Sequence, residues 1–461
     1  MVGKMSAHEN SQIDQIFLDY ELPDGWLSKK LRDVVSNKKG KLPRQLEENP
    51  WSGSIPHIDI DAFERGNVKR HSDRESAVIV QKGDLIVVWD GARCGLVGKA
   101  PFEGSLGSTL MTLKPLQINS NYLFFLLRGY FKIINSNPRG IGIPHVEPDI
   151  FWNLEIPLPL LSEQQHIVTR VDALLTNVNA ARDRLRRVPL IMKKFRQAVL
   201  TAACEGRLTE GWREENSNEV PASQLLQQIK KNRQEQKNQH IAKKSKNIQD
   251  VDVETTQDES TDIPDSWIWC QIQDITQVHL GGTPSRKESS YWGGAISWIS
   301  SGEVANNRIL TTKEKITDLG LQNSNAKLYP KGTVLIAMIG EGKTRGQSAI
   351  LDIEATTNQN VAGLVFDTDK IFNEFVWLWA LSQYEKTRAV GRGGEQPALN
   401  GEKVRNLMLA LPPLAEQHEI VRRVGLLFER ADAFDQEVAA ASRRCERLTQ
   451  AVLGKAFQGK L

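Results

Sequence analysis

The sequence has few cysteines and no long apolar run. Its four cysteines show no C-x-x-C spacing, so we expect neither a zinc site nor a disulfide framework and we expect the reducing cytoplasm. No run of about 18 apolar residues occurs, which excludes a membrane-spanning helix. The first residues lack a basic segment followed by an apolar one, so no signal peptide is expected.

The chain also lacks a charge excess and the motifs of common enzymes. A net charge of +3 means that any nucleic-acid contact must rest on locally clustered Lys and Arg. No glycine motif for S-adenosylmethionine, no N/D-P-P-[YF] loop and no histidine ligand pattern is found. The segment Ala337–Thr344 fits a loose phosphate-loop pattern, but Gly346 and a strand-like run follow it where a helix is required. We predict no catalytic residue, no metal and no cofactor in this chain.

An internal repeat is the clearest positive feature. LPLLSEQQHIVTRV from Leu158 matches LPPLAEQHEIVRRV from Leu411, an offset of 253 residues, and the ungapped match of 51 pairs to Leu208 and Leu461 holds 18 identities. LPDGW from Leu22 resembles IPDSW from Ile263 at an offset of 241, so the second variable segment is 12 residues longer. Each half is therefore one variable globular segment followed by one repeated segment.

The repeated segments carry apolar residues at alternating steps of four and three. This spacing predicts long helices with the a/d stripe of a left-handed coiled coil, and antiparallel pairing of the two helices would bury both stripes. Pro189 lies inside the first helix, where it predicts a kink or break. The stripes are, copy by copy, Ile167, Val171, Leu174, Val178, Ala181, Leu185, Val188, Met192, Phe195 and Val199, then Ile420, Val424, Leu427, Ala431, Phe434, Val438, Ala441, Cys445, Leu448 and Val452.

The remaining segments are the two globular parts and the stretch that connects the halves. Strand-like runs at 85–89 and 333–339, with apolar helical stretches at 121–131 and 373–384, predict two mixed α/β domains. The stretch between the halves begins with a basic, helix-like part and continues as an acidic part, which is typical of a solvated linker. A contact with DNA or a partner is the alternative for this charged stretch.

The repeated segments resemble the conserved regions of type I restriction-modification specificity subunits. The resemblance rests on a proline-rich approach, L-x-E-Q, a heptad helix and G-[KR]-L, all occurring twice, on FRQAVLTAACEGRLTEGWREE (Phe195–Glu215), and on GGTPSRKESSYWGGAISWISSGEV (Gly281–Val304). It implies an α/β protein with two target-recognition domains separated by a long antiparallel two-helix coiled coil and related by a pseudo-twofold repeat. The implied division is an N-terminal tail 1–21, domain 22–157, spacer 158–208, linker 209–262, domain 263–410 and spacer 411–461.

The resemblance also implies a function and partners. Each domain would read one half of a split double-stranded DNA site, and the chain would dock two methyltransferase (modification) subunits and, in the full complex, motor-nuclease (restriction) subunits. S-adenosylmethionine, ATP and Mg²⁺ would belong to those partners. Two alternatives stay open: a DNA reader of a methylation-linked defence system without the motor-nuclease, and a coiled-coil scaffold with no role at DNA.

Glycine-rich loops hold the candidate DNA-binding residues. Glycines let the backbone approach DNA, Lys and Arg contact phosphate, and side-chain amides can pair with an adenine edge; an ordinary surface turn is the alternative for each residue. In the second domain we predict Lys343, Arg345, Gln347, Asn358, Gln359 and Asn360. In the first domain we predict Arg93, Lys99, Ser108 and Thr109, and near the end of each domain Arg139 and Arg392.

The first turn of each predicted coiled-coil helix carries an acid followed by an amide. An acid there favours the helix dipole, and capping is one explanation of the pattern. The other is contact with the methyltransferase, for which we predict Glu163, Gln164, Glu416 and Gln417.

Overall fold

The computed structural model describes residues 21–139, 143–241, 262–340, 343–389 and 399–461. The described chain forms two compact units. Unit 1 comprises the chain up to Val188 together with Glu437–Leu461, and unit 2 comprises Pro189–Gln436. Of the predicted segments, nearly all of the tail 1–21, Arg392 and the acidic part of the linker lie outside the described residues.

Unit 1 contains one mixed α/β domain. Its strands are β1 (Leu27–Lys30), β2 (Val35–Lys39), β3 (Leu46–Glu47), β4 (Ile55–Ile58), β5 (His71–Ser72), β6 (Ile79–Val80), β7 (Leu85–Val88), β8 (Val97–Lys99), β9 (Gly104–Leu106), β10 (Leu110–Pro115) and β11 (Glu155–Leu158). Its helices are α1 (Leu31–Val34), α2 (Ile60–Arg65), α3 (Ser120–Ser136), α4 (Pro148–Trp152) and α5 (Leu161–Leu185). The sheets have the orders β1-β11, β2-β10-β7-β8 and β3-β5-β4-β9-β6.

Unit 2 repeats much of this plan. It begins with α6 (Val188–Cys204), a 3₁₀ turn (Arg207–Thr209), α7 (Glu210–Glu215) and α8 (Ala222–Ile241). The strands are β12 (Ile268–Gln271), β13 (Gln277–Leu280), β14 (Trp292–Ile299), β15 (Asn307–Ile309), β16 (Glu314–Ile316), β17 (Val334–Ala337), β18 (Ser348–Leu351), β19 (Thr356–Thr357), β20 (Val361–Val365) and β21 (Met408–Leu411). The remaining elements are α9 (Ile272–Ile275), 3₁₀ turns at Ser289–Tyr291 and Ser301–Glu303, α10 (Asp318–Gln322), α11 (Asn373–Ser382), α12 (Tyr384–Ala389), α13 (Gly401–Arg405) and α14 (Leu414–Phe457), whose last part, from Glu437, belongs to unit 1.

The central sheets of the two units are equivalent. In unit 1, β10 lies between β2 and β7, and in unit 2, β20 lies between β13 and β17, with all these pairs antiparallel. The next strand in each sheet, β8 or β18, returns from a β-hairpin. The strands are buried because both their faces are apolar: β7 reads LIVV and β17 reads VLIA, with every residue buried. These strands and the helices α3 and α11 confirm the predicted α/β class.

The helices of the repeated segments pair antiparallel within each unit. In unit 1, Ile167 and Val171 near the start of α5 share a core with Leu453 and Phe457 at the end of α14. In unit 2, residues at the end of α6 share a core with others at the start of α14, namely Val199, Leu200 and Ala203 with Ile420 and Val424. The ion pairs from the Arg196 guanidinium to Asp432 (2.5 Å) and Asp435 (2.9 Å) support the second pairing. The predicted antiparallel coiled coil is confirmed.

Two details of the predicted helices can be compared with the structure. The first helix is interrupted after Leu185 and restarts at Val188, which confirms the break expected from Pro189 because proline is tolerated only in the first turn. The predicted apolar stripe was wrong at four positions, Leu174, Phe195, Phe434 and Leu448, whose side chains are 43%, 38%, 45% and 47% exposed. An α-helix drifts away from a strict heptad, so the neighbouring Leu175 is buried instead of Leu174.

Candidate DNA interface

Most of the predicted DNA-binding residues lie at one end of each central sheet, on the loops of the hairpins β7–β8 and β17–β18 and on the segments that precede β10 and β20. We call these ends rim 1 and rim 2. Rim 1 comprises Lys39, Asp90, Arg93, Ser108, Thr109, Arg139 and His145, and rim 2 comprises Leu280, Ile339, Lys343, Arg345, Gln347, Asn358, Gln359 and Asn360. Because β2 and β13 end where β10 and β20 begin, side chains far apart in sequence meet at each rim.

Rim 1 is built around the backbone of Thr109. Its carbonyl oxygen accepts hydrogen bonds from the backbone N–H groups of Trp89 (2.8 Å) and Asp90 (3.2 Å), which fixes the start of the hairpin loop. The loop ends in Gly95, whose φ of 89° suits glycine and whose missing Cβ leaves room for Ile134. Arg93 lies in this loop and forms an ion pair with Glu64. Arg139 is exposed and pairs through its backbone with His145 (3.0 Å).

Lys99 does not join the other predicted residues of unit 1. It pairs with Leu85 at the far end of the hairpin from Arg93, because β8 runs away from rim 1. Its ammonium donates a hydrogen bond to the Asn121 side chain (2.6 Å) and lies 5.2 Å from the centre of the Phe124 ring. Lys99 is therefore separated from rim 1 and engaged with α3.

Rim 2 gathers polar side chains on the equivalent loops. The N–H of Met338 donates to the Asn360 carbonyl (2.9 Å), as the N–H of Trp89 does to Thr109 in unit 1. The Asn358 side chain accepts from the N–H of Asn360 (3.1 Å), which shapes the turn before β20. Gln359 is exposed and accepts from the Thr283 hydroxyl (2.6 Å). Two of the four predicted amides, Asn358 and Gln359, therefore also hold their loops together.

The hairpin loop of rim 2 carries the cations Lys343 and Arg345. Lys343 is exposed, and its carbonyl accepts from the Tyr384 hydroxyl (2.9 Å). Gly346, with φ of 80°, donates to the Ala337 carbonyl, and Gln347 continues into β18. A strand rather than a helix therefore follows Lys343 and Thr344, which contradicts a phosphate loop for nucleotide binding because that fold needs a helix N-terminus at this point.

A positive side chain that the sequence analysis did not single out lies on the segment leaving rim 2. Gly281 follows β13, and a Cβ there would lie 2.1 Å from the Thr357 hydroxyl, so the chain passes tightly across the end of β19. Arg286 follows, with its guanidinium 3.7 Å from the Trp292 ring centre and ion-paired to Glu314 (2.9 Å). The hydrogen bond that Arg286 donates to Glu314 raises the pKa of the guanidinium. This arginine clamps the segment to β14 and β16.

His279, next to rim 2, does not add positive charge. Burial lowers the pKa of its imidazole, and the nearby cations Lys327 and Arg405 lower it further. The Lys327 ammonium lies 3.3 Å from the His279 Nδ1 atom. A neutral His279 therefore leaves the charge of this region to lysine and arginine.

The residues predicted to dock a partner form two equivalent internal frameworks. The Trp26 indole N–H donates to Glu163 (3.1 Å), and the Trp267 indole N–H donates to Glu416 (2.8 Å). Gln164 accepts from the N–H of Asn119 (2.8 Å) and donates to the Pro159 carbonyl (2.9 Å).

The second copy of this framework is fully enclosed. Gln417 accepts from the N–H of Phe372 (2.8 Å) and donates to the Pro412 carbonyl (3.0 Å). Glu416 also accepts from the Thr209 hydroxyl and the Arg213 guanidinium, both at 2.6 Å. Gln164, Glu416 and Gln417 are buried and offer no surface to a partner. For these three the framework replaces the predicted docking role, and docking stays a prediction only for the exposed Glu163.

Two further features, a metal site and a membrane-spanning helix, are absent from the described residues. No group of three or more His, Cys, Asp and Glu side chains there could hold a metal ion. No helix in that part of the chain is long and apolar enough to cross a membrane.

Comparison with known proteins places the chain in a family. The model of the type I restriction modification DNA specificity domain matches twice, at residues 23–187 and 264–433. The chain belongs to this family. Its members specify DNA targets, so the chain is a DNA-recognition subunit and not an enzyme by itself.

Similar proteins cover nearly the whole chain. The EcoDI specificity subunit of Escherichia coli is 26% identical over 96% of this chain and 90% of its own, and the EcoKI specificity subunit of Escherichia coli strain K12 is 27% identical over the same shares. A chain from a solved structure on complex assembly and conformational transition of the type I R-M system aligns with a TM-score of 0.63 at 20% identity, covering 96% of this chain and 100% of that one. The HsdS subunit of Thermoanaerobacter tengcongensis aligns with a TM-score of 0.51 at 19% identity, covering 96% and 99%. These structures support the fold.

Proposed function

We propose that this chain reads a split DNA site, one half with each rim. The domains 22–157 and 263–410 are the two readers, the segments 158–208 and 411–461 form the spacer that sets the distance between half-sites, and 209–262 connects the halves. The observation that carries this proposal is that each central sheet gathers Arg and Lys side chains at one end from separate loops, together with hydroxyl side chains in unit 1 and amide side chains in unit 2. Clustered donors on glycine-containing loops can approach both phosphates and base edges.

Within the rims, different residue types have different roles. Lys343 and Arg93 are exposed cations on hairpin tips, suited to phosphate, which fixes the register of a protein on DNA. Gln347, Asn358, Gln359 and Asn360 carry both donors and acceptors, suited to an adenine edge. Ser108 and Thr109 hold the corresponding place in unit 1. The predicted roles of Lys99, Arg139, Arg345 and Arg392 belong to the same proposal, with Lys99 as the member placed away from its rim.

The chain acts within a larger complex. It docks two methyltransferase subunits and, through them, the motor-nuclease subunits, in the cytoplasm, while S-adenosylmethionine, ATP and Mg²⁺ act on those partners. Support for docking comes from Glu163, whose carboxylate is exposed at the first turn of α5 while the equivalent Glu416 is enclosed by the chain itself. An exposed carboxylate beside an indole N–H can receive a cationic side chain from a partner.

Methylome sequencing of cells that express the chain with its cognate methyltransferase tests the reading function. The expected result is methylation of a split motif on both strands. K343A should weaken methylation through one half-site, because a phosphate contact is worth about five- to tenfold in affinity at physiological salt. Lys331 is the matched control: it is an exposed lysine that precedes β17, at the end of the strand away from the hairpin. A continuous motif, or equal effects of K331A and K343A, would contradict the proposal.

Copurification with the methyltransferase tests docking. E163K reverses the charge of the exposed framework acid and should reduce the amount of methyltransferase retained. D172K on the same helix is the control, since Asp172 is exposed and makes no side-chain hydrogen bond among those described. Retention unchanged by E163K would remove Glu163 from the docking surface while leaving the DNA-reading proposal intact.

A further inference from the structure

Rim 1 contains a chain of three polar side chains from three separate segments. Lys39 ends β2, Asp90 follows β7, and His145 precedes α4. The Lys39 ammonium lies 3.0 Å from one carboxylate oxygen of Asp90, and the His145 Nδ1 atom lies 2.6 Å from the other. One carboxylate therefore joins two side chains that are distant in sequence.

The surrounding backbone holds Asp90 in place. Its N–H donates to the Thr109 carbonyl, and the N–H of Gly91 donates to the Pro144 carbonyl (2.7 Å). Asp90 and His145 also form a β-bridge. The Asp90 side chain is 15% exposed, whereas those of Lys39 and His145 are 46% and 45% exposed. The anion is thus mostly covered, and the lysine faces outward.

We propose that Lys39 binds a phosphodiester of the DNA half-site read by unit 1, with Asp90 and His145 as positioning residues. His145 donates its Nδ1–H to one oxygen of Asp90, which turns the other oxygen toward Lys39. A free lysine loses much side-chain freedom when it binds phosphate, and a lysine that is already held loses less. This inference rests on the proposed reading function and adds a phosphate ligand to it.

The same positions of unit 2 carry no such chain. Leu280 is equivalent to Lys39, because each pairs with the second residue of the central strand, Ala362 in β20 or Met111 in β10. Ile339 is equivalent to Asp90, because each stands two residues after the end of the strand that pairs with the other side of the central strand. Both Leu280 and Ile339 are exposed, at 38% and 48%. The linked side chains of Lys39, Asp90 and His145 are therefore a feature of rim 1, and changing them should affect binding to only one half-site.

The test measures how tightly the complex of the chain and its methyltransferase binds two DNA duplexes. One duplex carries the complete motif found by methylome sequencing, and the other carries the same motif with its first half-site scrambled. K39M should weaken specific binding about five- to tenfold and reduce the slope of log K against log salt by about 0.9. K39R, which keeps the charge, should restore most of both. K39M binding equal to that of the wild type in affinity and slope would overturn the proposal.

Substitution of Asp90 gives the sharper test, because two explanations of its role predict opposite changes in DNA affinity. If Asp90 only adds negative charge near DNA, D90N should tighten binding to both duplexes. If Asp90 positions Lys39, D90N should weaken specific binding several-fold and leave binding to the scrambled duplex unchanged, and H145A should act in the same direction. Tighter binding by D90N would overturn the positioning role.

Two controls separate failure of this inference from other failures. The methyltransferase-bound chain should show unchanged thermal unfolding in K39M, since Lys39 is exposed, so K39M stays informative if D90N disturbs folding. K343A acts at rim 2 and should weaken binding independently of Lys39. An effect of K343A without an effect of K39M would refute this inference alone, and no effect of either would refute the reading function itself.

Discussion

Glu163 and Glu416 stand at equivalent positions of the repeat, and both accept a hydrogen bond from a tryptophan indole. Their surroundings differ. Glu416 is fully buried and also accepts from Thr209 and Arg213, whereas Glu163 is exposed. The comparison shows that one framework can act as a closed internal contact in one unit and leave its acid open to solvent in the other.

The rims differ more than the frameworks. Rim 1 has Lys39 and Asp90 where rim 2 has the apolar Leu280 and Ile339. The strands beneath both rims keep the same order and the same antiparallel pairing. The two units thus share the strands that position the loops and differ in the side chains that face outward, as expected if they are the proposed readers of different half-sites.

The largest expected effect comes from opening the closed framework. E416Q removes the charge from a buried group that holds the Arg213 guanidinium and the Trp267 indole, and leaving a buried charge without its partner costs about 3–5 kcal/mol. E163Q should cost less than about 1 kcal/mol, because the carboxylate is exposed and water replaces what is lost. Urea unfolding of both variants measures the difference in the free energy of unfolding.

A variant of the partner residue checks the cause of this difference. R213M removes the cation that Glu416 contacts, and the double variant E416Q/R213M should be less destabilised than the sum of the two single changes. Equal costs for E416Q and E163Q would show that the enclosure of Glu416 contributes nothing to stability.

The two glutamines of the framework should behave alike. Gln164 and Gln417 are both buried, and each joins a backbone N–H to a proline carbonyl. Q164A and Q417A each leave a buried donor and acceptor unsatisfied, which costs about 1–3 kcal/mol. The same unfolding measurement applies. Costs that differ by more than about 1 kcal/mol would break the equivalence of the two frameworks at this point.

One buried thiol, Cys270, and one partly buried thiol, Cys204, give the stability of unit 2 a dependence on alkaline pH. Burial raises the pKa of Cys204 to about 11 and that of Cys270 to about 12. These thiols stay protonated in the folded state while unfolded thiols ionise near pH 9, so stability is full below that pH and falls as the pH rises toward 11 or 12. The loss is about 1.4 kcal/mol per pH unit for each thiol.

Unfolding between pH 8 and 11 measures this loss. The variant C204A/C270A should show a shallower decline with pH than the wild type, whatever its stability at pH 8. Parallel curves for the two proteins would contradict a role of these thiols in the alkaline loss of stability.

Much of the fold could be predicted from the sequence because it rests on local patterns. The buried runs around Leu85–Val88 and Val334–Ala337 are short, apolar and rich in β-branched residues, which favours strands. The interruption before Pro189 follows from the chemistry of one residue. The repeat itself indicated that both halves share a plan, and a heptad spacing predicted the pairing of the two helices.

Other features depend on contacts that a linear pattern does not contain. Gln164 and Gln417 look like exposed helix-start residues, but the approaching loops bury them. The basic part of the predicted linker forms α8, whose Leu225, Leu226 and Ile229 pack into the core of unit 2, because these apolar residues share one helical face.

The candidate site shows the same limit. Arg93, Ser108 and Thr109 were predicted for the site because they lie close to glycines in turns. Lys39 and His145 lie on segments whose approach to Asp90 depends on strand pairing, and the sequence carried no local signal for them.

The smallest expected effect concerns the apolar part of rim 2. Ile339 is 48% exposed beside the hairpin loop, where a branched side chain can contact the methyl group of a thymine in the major groove. I339A should weaken binding of the methyltransferase-bound chain to its target by about 1 kcal/mol, roughly fivefold, because one such contact buries little area. Replacing each thymine of the second half-site by uracil in turn should reproduce this loss at one position, and I339A should abolish the sensitivity there. Rim 1 has Asp90 at the place of Ile339. Any loss of binding caused by uracil in the first half-site should therefore be the same in I339A and in the wild type. A loss with I339A that no uracil replacement reproduces would mean that Ile339 shapes the loop rather than touching a base.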